Sequence, residues 1–132
     1  MANTKSHLTS TLKKATIELL LLKLLDEADM YGYQLSQELK KRSNEKYTIL
    51  EGSMYPILYR ILENGHISSY EEKVGVRQTR IYYHLESSGK AYLQSQLELY
   101  DEYIKVINYL LQSKEGDCYG VNASEASIQD NT

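Results

Sequence analysis

Residues 52–62, GSMYPILYRIL, place four side chains suited to recognition chemistry within two helical turns: Ser53, Tyr55, Tyr59 and Arg60. At 100° per residue, Met54, Ile57, Leu58, Ile61 and Leu62 fall on one apolar stripe, while Tyr59, Arg60 and Glu63 fall opposite, free to touch something else. A guanidinium at that position can bond guanine O6 and N7 together, worth about 1–3 kcal/mol of base discrimination. A tyrosine there offers a hydroxyl to phosphate and a ring edge to thymine methyl groups. Plainer readings stand beside these: Arg60 paired with Glu63 or a phosphate, and Tyr55 at the stripe's edge as half-buried core. Farther on, Lys73, Arg77 and Arg80 flank a glycine tip at Gly75, a placement that suits phosphate contact or minor-groove insertion as well as plain solvation.

Positioning such groups requires a helix, a turn and a hairpin, and the neighbouring residues supply the signals. Ser53 is the expected N-cap, with Pro56 tolerated in the first turn, and Asn64-Gly65-His66 is the expected stop. Two strands are predicted over 67–73 and 78–85 around Val74-Gly75-Val76, with Thr79, Ile81, Tyr83 and Leu85 on one face of the second and Gln78, Arg80, Tyr82 and His84 on the other. Upstream, a leucine-rich helix is predicted from Leu12 to about Glu27, after a polar, frayed start over 1–10. A second helix is expected over 31–43, ending on Lys40, Lys41 and Arg42, which serve the helix dipole and can also contact phosphate. Helix, turn and hairpin in this order make a winged helix-turn-helix.

After the hairpin, a helix from Ser87 to about Ser113 carries Leu93, Leu97, Tyr100, Ile104, Ile107 and Leu111 at spacings of 4, 3, 4, 3, 4, a coiled-coil seam. We read it as a dimerisation helix packing on the leucine-rich first helix, Leu19 and Leu22 included, of a second subunit. The expected fold is therefore mainly α with a small β-hairpin: a winged-helix domain over 1–85, a long C-terminal dimerisation helix over 86–113, and a disordered tail over 114–132, where hydrophobicity is low and no period survives.

The chain has 132 residues and a formal net charge of −3, which argues against a large nucleic-acid footprint until the charge is divided by segment. Residues 1–39 hold 4 Lys and Arg against 5 Asp and Glu, residues 40–90 hold 9 against 6, and residues 91–132 hold 2 against 7. Only the middle segment, with the reading helix and hairpin, is positive, and screening over about 8 Å at physiological salt limits the opposition of the acidic end. One cysteine, Cys118, excludes an intramolecular disulfide and fits a reducing compartment; a redox-sensing role finds no neighbouring His or second Cys. The apolar run 19–25 is too short to span a bilayer and no secretory signal precedes it, so a cytoplasmic protein is expected. His7, His66 and His84 have no metal-ligand spacing, and no phosphate loop or nucleophile elbow occurs, so neither a cofactor nor an enzyme is expected. Thirteen tyrosines with no Phe and no Trp invite a phenolic-ligand pocket; the simpler reading is core rings whose hydroxyls reach the surface.

Three segments, YGYQL (31–35), EGSMYPILYRILENGHI (51–67) and RIYYHLESSGKAYL (80–93), together resemble the PadR family of transcriptional regulators in content, order and spacing, over roughly residues 10–113. The single long helix after the wing is similar to the shorter-tailed branch of that family. The resemblance implies a homodimeric winged-helix repressor that binds double-stranded DNA at a palindromic operator and is released by a small-molecule or stress signal. It implies that Ser53, Tyr55, Tyr59 and Arg60 face DNA from the third helix, and that Lys73, Arg77 and Arg80 do so in or beside the wing. Two departures stand out: Glu86 occupies a position where the family often has a capping Thr, and the chain lacks the Trp on which some members stack flat ligands. A winged-helix protein-interaction module without direct DNA binding is the alternative, and the acidic overall charge is its support.

Overall fold

The computed structural model describes residues 2–120, with side chains from His7 onward. Its elements run α1 (Ala2–Glu27), β1 (Met30–Tyr31), α2 (Gly32–Arg42), α3 (Glu51–Glu63), β2 (Ile67–Val74), β3 (Gln78–Leu85) and α4 (Ser87–Gln112). They fall into two units, Met1–Gln96 and Leu97–Thr132. The first unit thus extends beyond the boundary expected at residue 85, because the opening turns of α4 pack into its core through Leu93.

In the first unit α1 is the central rod. Ile17, Leu21, Leu22, Leu24 and Leu25 are all buried and span an arc of roughly 160° at 100° per residue. Met54, Leu58 and Ile61 of α3 and Leu35 and Leu39 of α2 join them in the core. The helix starts at Ala2 and not at Leu12. Once a helix is nucleated, each added residue gains a backbone bond, so the polar start propagates the rod instead of fraying.

The sheet has three strands in the order β1-β3-β2, all antiparallel, where a two-stranded hairpin was expected. Met30 and Tyr31 pair with Tyr83 and Tyr82, and β2 pairs with β3 from Ile67↔Leu85 to Val74↔Gln78. The predicted alternation in β3 holds near the core, where Tyr83 and Leu85 are buried, but Ile81 is 49% exposed. Beyond Tyr83 the hairpin has left the core and projects as a wing. On its other face Tyr82 stacks on Tyr70 at 5.7 Å and meets Tyr31 edge-on at 5.4 Å. Among the described tyrosines, Tyr83 belongs to the buried core and the others are half-buried or exposed, so the expectation of mostly core rings fails. Their rings pack on one another at the surface instead.

Polar clasps hold the elements in place. Arg42 grips both Glu27 carboxylate oxygens at 2.9 Å and also bonds Glu38, joining the ends of α1 and α2. Tyr47 ties the α2–α3 loop to α1, its hydroxyl donating to the Lys13 carbonyl at 3.1 Å and lying 2.8 Å from Thr16 Oγ1. Asp29 accepts from the Tyr70 hydroxyl at 2.8 Å and lies 2.7 Å from His84 Nδ1. The start of α4 crosses β2's entry so closely that a Cβ at Gly89 would collide with the His66 carbonyl oxygen.

In the second unit, Tyr100, Ile107 and Leu111 are 45%, 46% and 79% exposed, while Leu97 and Ile104 are half-buried. Leu22 and Leu93 behave differently from the rest of the expected seam. At 0% and 3% exposure they are consumed by the core of the first unit and have no surface left for a partner. Residues 114–120 form turns, with the Lys114 N–H on Asp117 Oδ2 at 2.8 Å and Tyr119 edge-on to Tyr109 at 5.5 Å. The rest of the expected disordered tail, 121–132, lies outside the described residues. No helix among the described residues is long and apolar enough to cross a membrane.

Two outcomes follow for stability. Gly89→Ala should cost about 1–3 kcal/mol in a urea titration, since backbone must shift to admit the methyl, whereas Gly52→Ala, with nothing within 4 Å, should be neutral or slightly stabilising. The His84–Asp29 clasp should give a pH window. Hydrogen bonding to Asp29 raises the His84 pKa above 6.5, so its contribution is full below 6.5 and fades as pH rises through the raised value. Burial alone would raise the Asp29 carboxyl, but bonds from His84 and Tyr70 outweigh it and hold the pKa below 3.8; that contribution is present above 3.8 and is lost as pH falls through the lowered value. Urea midpoints of the parent and His84→Gln proteins should therefore differ most between pH 3.8 and 6.5 and converge once pH has passed the raised His84 value.

Candidate nucleic-acid interface

α3 starts earlier than its serine suggests. Leu50 is the N-cap, without a side-chain hydrogen bond, and its carbonyl receives the Ser53 and Met54 N–H groups at 3.0 and 3.2 Å. Ser53 is thus the third helical residue and not the cap. Pro56 lies in the second turn, where its missing N–H leaves the exposed Gly52 carbonyl to solvent. At the other end Gly65 adopts φ +78°, and the His66 and Gly65 N–H groups return to the Ile61 and Leu62 carbonyls at 3.1 and 3.0 Å. That closure terminates α3 and turns the chain into β2.

With Met54, Leu58 and Ile61 fully buried, the ridge farthest from the core consists of Gly52, Pro56, Tyr59 and Glu63. Three of these, Gly52, Pro56 and Glu63, were missing from the expected site, although Glu63 was expected to face outward. The place of Gly52 and Pro56 on the outward ridge shows only once the buried arc is known. Tyr59 is 58% exposed.

The expected residues separate into three groups around this ridge. Tyr55, Tyr59 and Arg80 line a groove of about 450 Å³ between α3 and the sheet, with Tyr31, Tyr33 and Thr79. Tyr55 reaches it because Gly32, at the start of α2, has no side chain: a Cβ there would collide with the Tyr55 hydroxyl. Burial pushes the Tyr55 phenol pKa up, and beneath the groove burial drives that of Tyr83 to about 12, so both stay neutral donors in ordinary buffers. Arg80 lies over the Tyr31 ring at 4.3 Å, a cation–π contact that directs its guanidinium along the groove wall.

Ser53 and Arg60 face the other way, into a cleft between α3 and α1. Arg60 does not pair with Glu63; its Nη2 lies 3.1 Å from Glu18 Oε1 of α1. The other Glu18 oxygen accepts from the Tyr92 hydroxyl of α4 at 3.0 Å, and Tyr92 stacks on His66 at 4.2 Å. No sequence period links residues 18, 60 and 92, so this chain of contacts was invisible before folding. Lys73 and Arg77 form the third group, both exposed at the wing tip, where Gly75 takes φ +79°. At the end of α2, Arg42 is held by its two carboxylates while Lys40 and Lys41 remain exposed. Among the described residues no group of His, Cys, Asp and Glu is arranged to hold a metal ion. The surface offers hydroxyls, flat rings and guanidinium groups for binding.

Comparison with known proteins agrees. The chain is 30% identical over 106 residues to a protein of Lysinibacillus sphaericus, covering 80% of this chain and 97% of the relative. A transcriptional regulator from Clostridium thermocellum matches with 30% identity and a TM-score of 0.72, over 78% of this chain and 97% of that one. The structure of Bacillus subtilis PadR in complex with operator DNA shares the fold, with 18% identity and a TM-score of 0.57, over 88% of this chain and 57% of that one. Residues 21–95 match the transcriptional regulator PadR-like family. With most of the winged unit inside that match, this chain belongs to the PadR-like family of transcriptional regulators and is not an enzyme.

Proposed function

We propose that this regulator is a cytoplasmic homodimeric repressor that reads a palindromic operator with α3 and the wing, and that a small-molecule or stress signal releases it. The observation that carries the reading is the outward ridge of α3, small at Gly52 and Pro56, aromatic at Tyr59 and acidic only at its far end, Glu63, flanked by a wing whose tip bears Lys73 and Arg77. A ridge with a narrow leading half can approach base edges closely, and cations beside it neutralise phosphate. The operator complex of Bacillus subtilis PadR supports the same use of this fold. In this reading Tyr59 and Arg60 contact base edges, Arg60 by leaving Glu18; Ser53 and Tyr55 offer hydroxyls to phosphate; and Lys73, Arg77 and Arg80 hold the backbone beside the wing.

Dimerisation is supported by the apolar side chains that α4 leaves uncovered at Tyr100, Ile107 and Leu111, in line with Leu97 and Ile104, and by Leu12, 55% exposed on α1 with Leu19 half-buried beyond it. A seam of this length left in water is a standing cost that a second copy removes. Two copies would set their α3 ridges about 34–36 Å apart, one turn of duplex DNA.

Gel-shift titration of promoter fragments over a range of salt tests the reading: affinity should fall steeply with salt and exceed that for random duplex DNA. Arg77→Ala should weaken binding to all sequences alike and lower the salt slope by about one contact, while Tyr59→Ala should cost about 1–3 kcal/mol and relax base preference. Identical behaviour of the two variants would refute this division of roles. Gly32→Ala should displace Tyr55 and weaken operator binding without touching DNA. Ile107→Asp combined with Leu111→Asp should give a monomer in sedimentation and abolish binding to the palindrome; a dimer that survives both changes would remove α4 as the interface.

A further inference from the structure

The cleft between α1 and α3 has a volume of about 780 Å³, within the roughly 300–1,000 Å³ typical of small-molecule sites. Its floor is apolar, from Ile17, Ile49 and Ile57, and Leu50 stands at its edge 79% exposed. Lys13, Lys14 and Arg60 also line it, and no Asp or Glu is among the lining residues. Thr48 and Ser53 add hydroxyls. No ion pair joins Lys13 or Lys14 to another described residue, while Arg60 is held by Glu18.

We propose that this cleft binds a small amphipathic anion, its acidic head among Lys13, Lys14 and Arg60 and its apolar body on Ile17, Ile49 and Ile57. Three cations without a lining carboxylate favour a negative head, and charge-assisted bonds to an anion are about twice as strong as neutral ones. The apolar floor rejects a bare inorganic ion, which would strip water from these surfaces without covering them. The head competes with Glu18 for Arg60. Binding therefore loosens the chain Arg60–Glu18–Tyr92, through which α1 connects the reading helix to the first turns of α4. The site stands by itself; its effect on operator affinity rests on the DNA-reading proposal above.

Decanoate is a suitable probe, with decanol and inorganic phosphate as controls lacking the charge and the body respectively. In 1H–15N spectra of the full-length chain without DNA, decanoate should shift amides of residues 13–17 and 48–57 saturably, and neither control should do so. Lys13→Gln combined with Lys14→Gln should weaken decanoate about tenfold with an unchanged melting temperature, the loss of one charge-assisted bond in free-energy terms. Glu18→Gln should tighten it severalfold by freeing Arg60, a gain that nonspecific adsorption would not show. Shifts confined to residues 100–111, equal binding of decanol, or indifference to the lysine changes would overturn the site. An absence of all binding, as when a second copy fills the cleft, would overturn it too. A second titration adds operator DNA: protein that binds decanoate but never binds DNA refutes the DNA-reading proposal and leaves the cleft intact.

Discussion

Water has to be kept from roughly 160° of α1's circumference, and every other part of the first unit is arranged by that requirement. A helix with so wide an apolar arc cannot be covered by one neighbour. Two elements in contact with it are α3 and β3, which between them supply Met54, Leu58, Ile61, Tyr83 and Leu85 to the shared core. Once α3 has committed three residues to α1, its opposite ridge is determined: Gly52, Pro56, Tyr59 and Glu63 must face outward. The outward ridge of α3 is the consequence of how α1 is buried.

Close backbone approaches then place the fine features. Gly32 lets the first turn of α2 pass beneath the Tyr55 ring, and Gly89 lets α4 pass against the His66 carbonyl. Both contacts join peripheral elements to the core, and neither leaves room for a methyl. The polar clasps act on the same joints. Glu18 serves α3 and α4 at once, and Asp29 serves both wing strands. These clasps are partly exposed, so their value lies in geometry and direction more than in stability.

Tyrosine is the residue with which this chain builds its surface ring contacts. Without Phe or Trp, the aromatic side chains at its edges carry hydroxyls, and the Tyr31, Tyr70 and Tyr82 rings meet on the outer face of the wing instead of in the core. A tyrosine stacked at the surface keeps its hydroxyl hydrated while burying ring area, which a buried one does only with a partner for its hydroxyl. The rings thus stiffen a wing that has left the core and would otherwise be a two-stranded ribbon of marginal stability.

By itself the sequence determined the order helix, helix, helix, hairpin, long helix, because each rests on local spacing: the stripe Met54, Leu58, Ile61, the stop at Gly65, the strand alternation closing on Tyr83 and Leu85, and the run from Leu93 to Leu111. Tertiary structure decided what local spacing does not encode. Met30–Tyr31 became a strand only because β3 offered an open edge to pair with. Leu22 and Leu93 passed from the expected seam into the core because a periodicity marks which residues share a face and not what covers it. Arg60 turned to Glu18, 42 positions away, since an ion pair depends on distance in space, and no residue between the two records it.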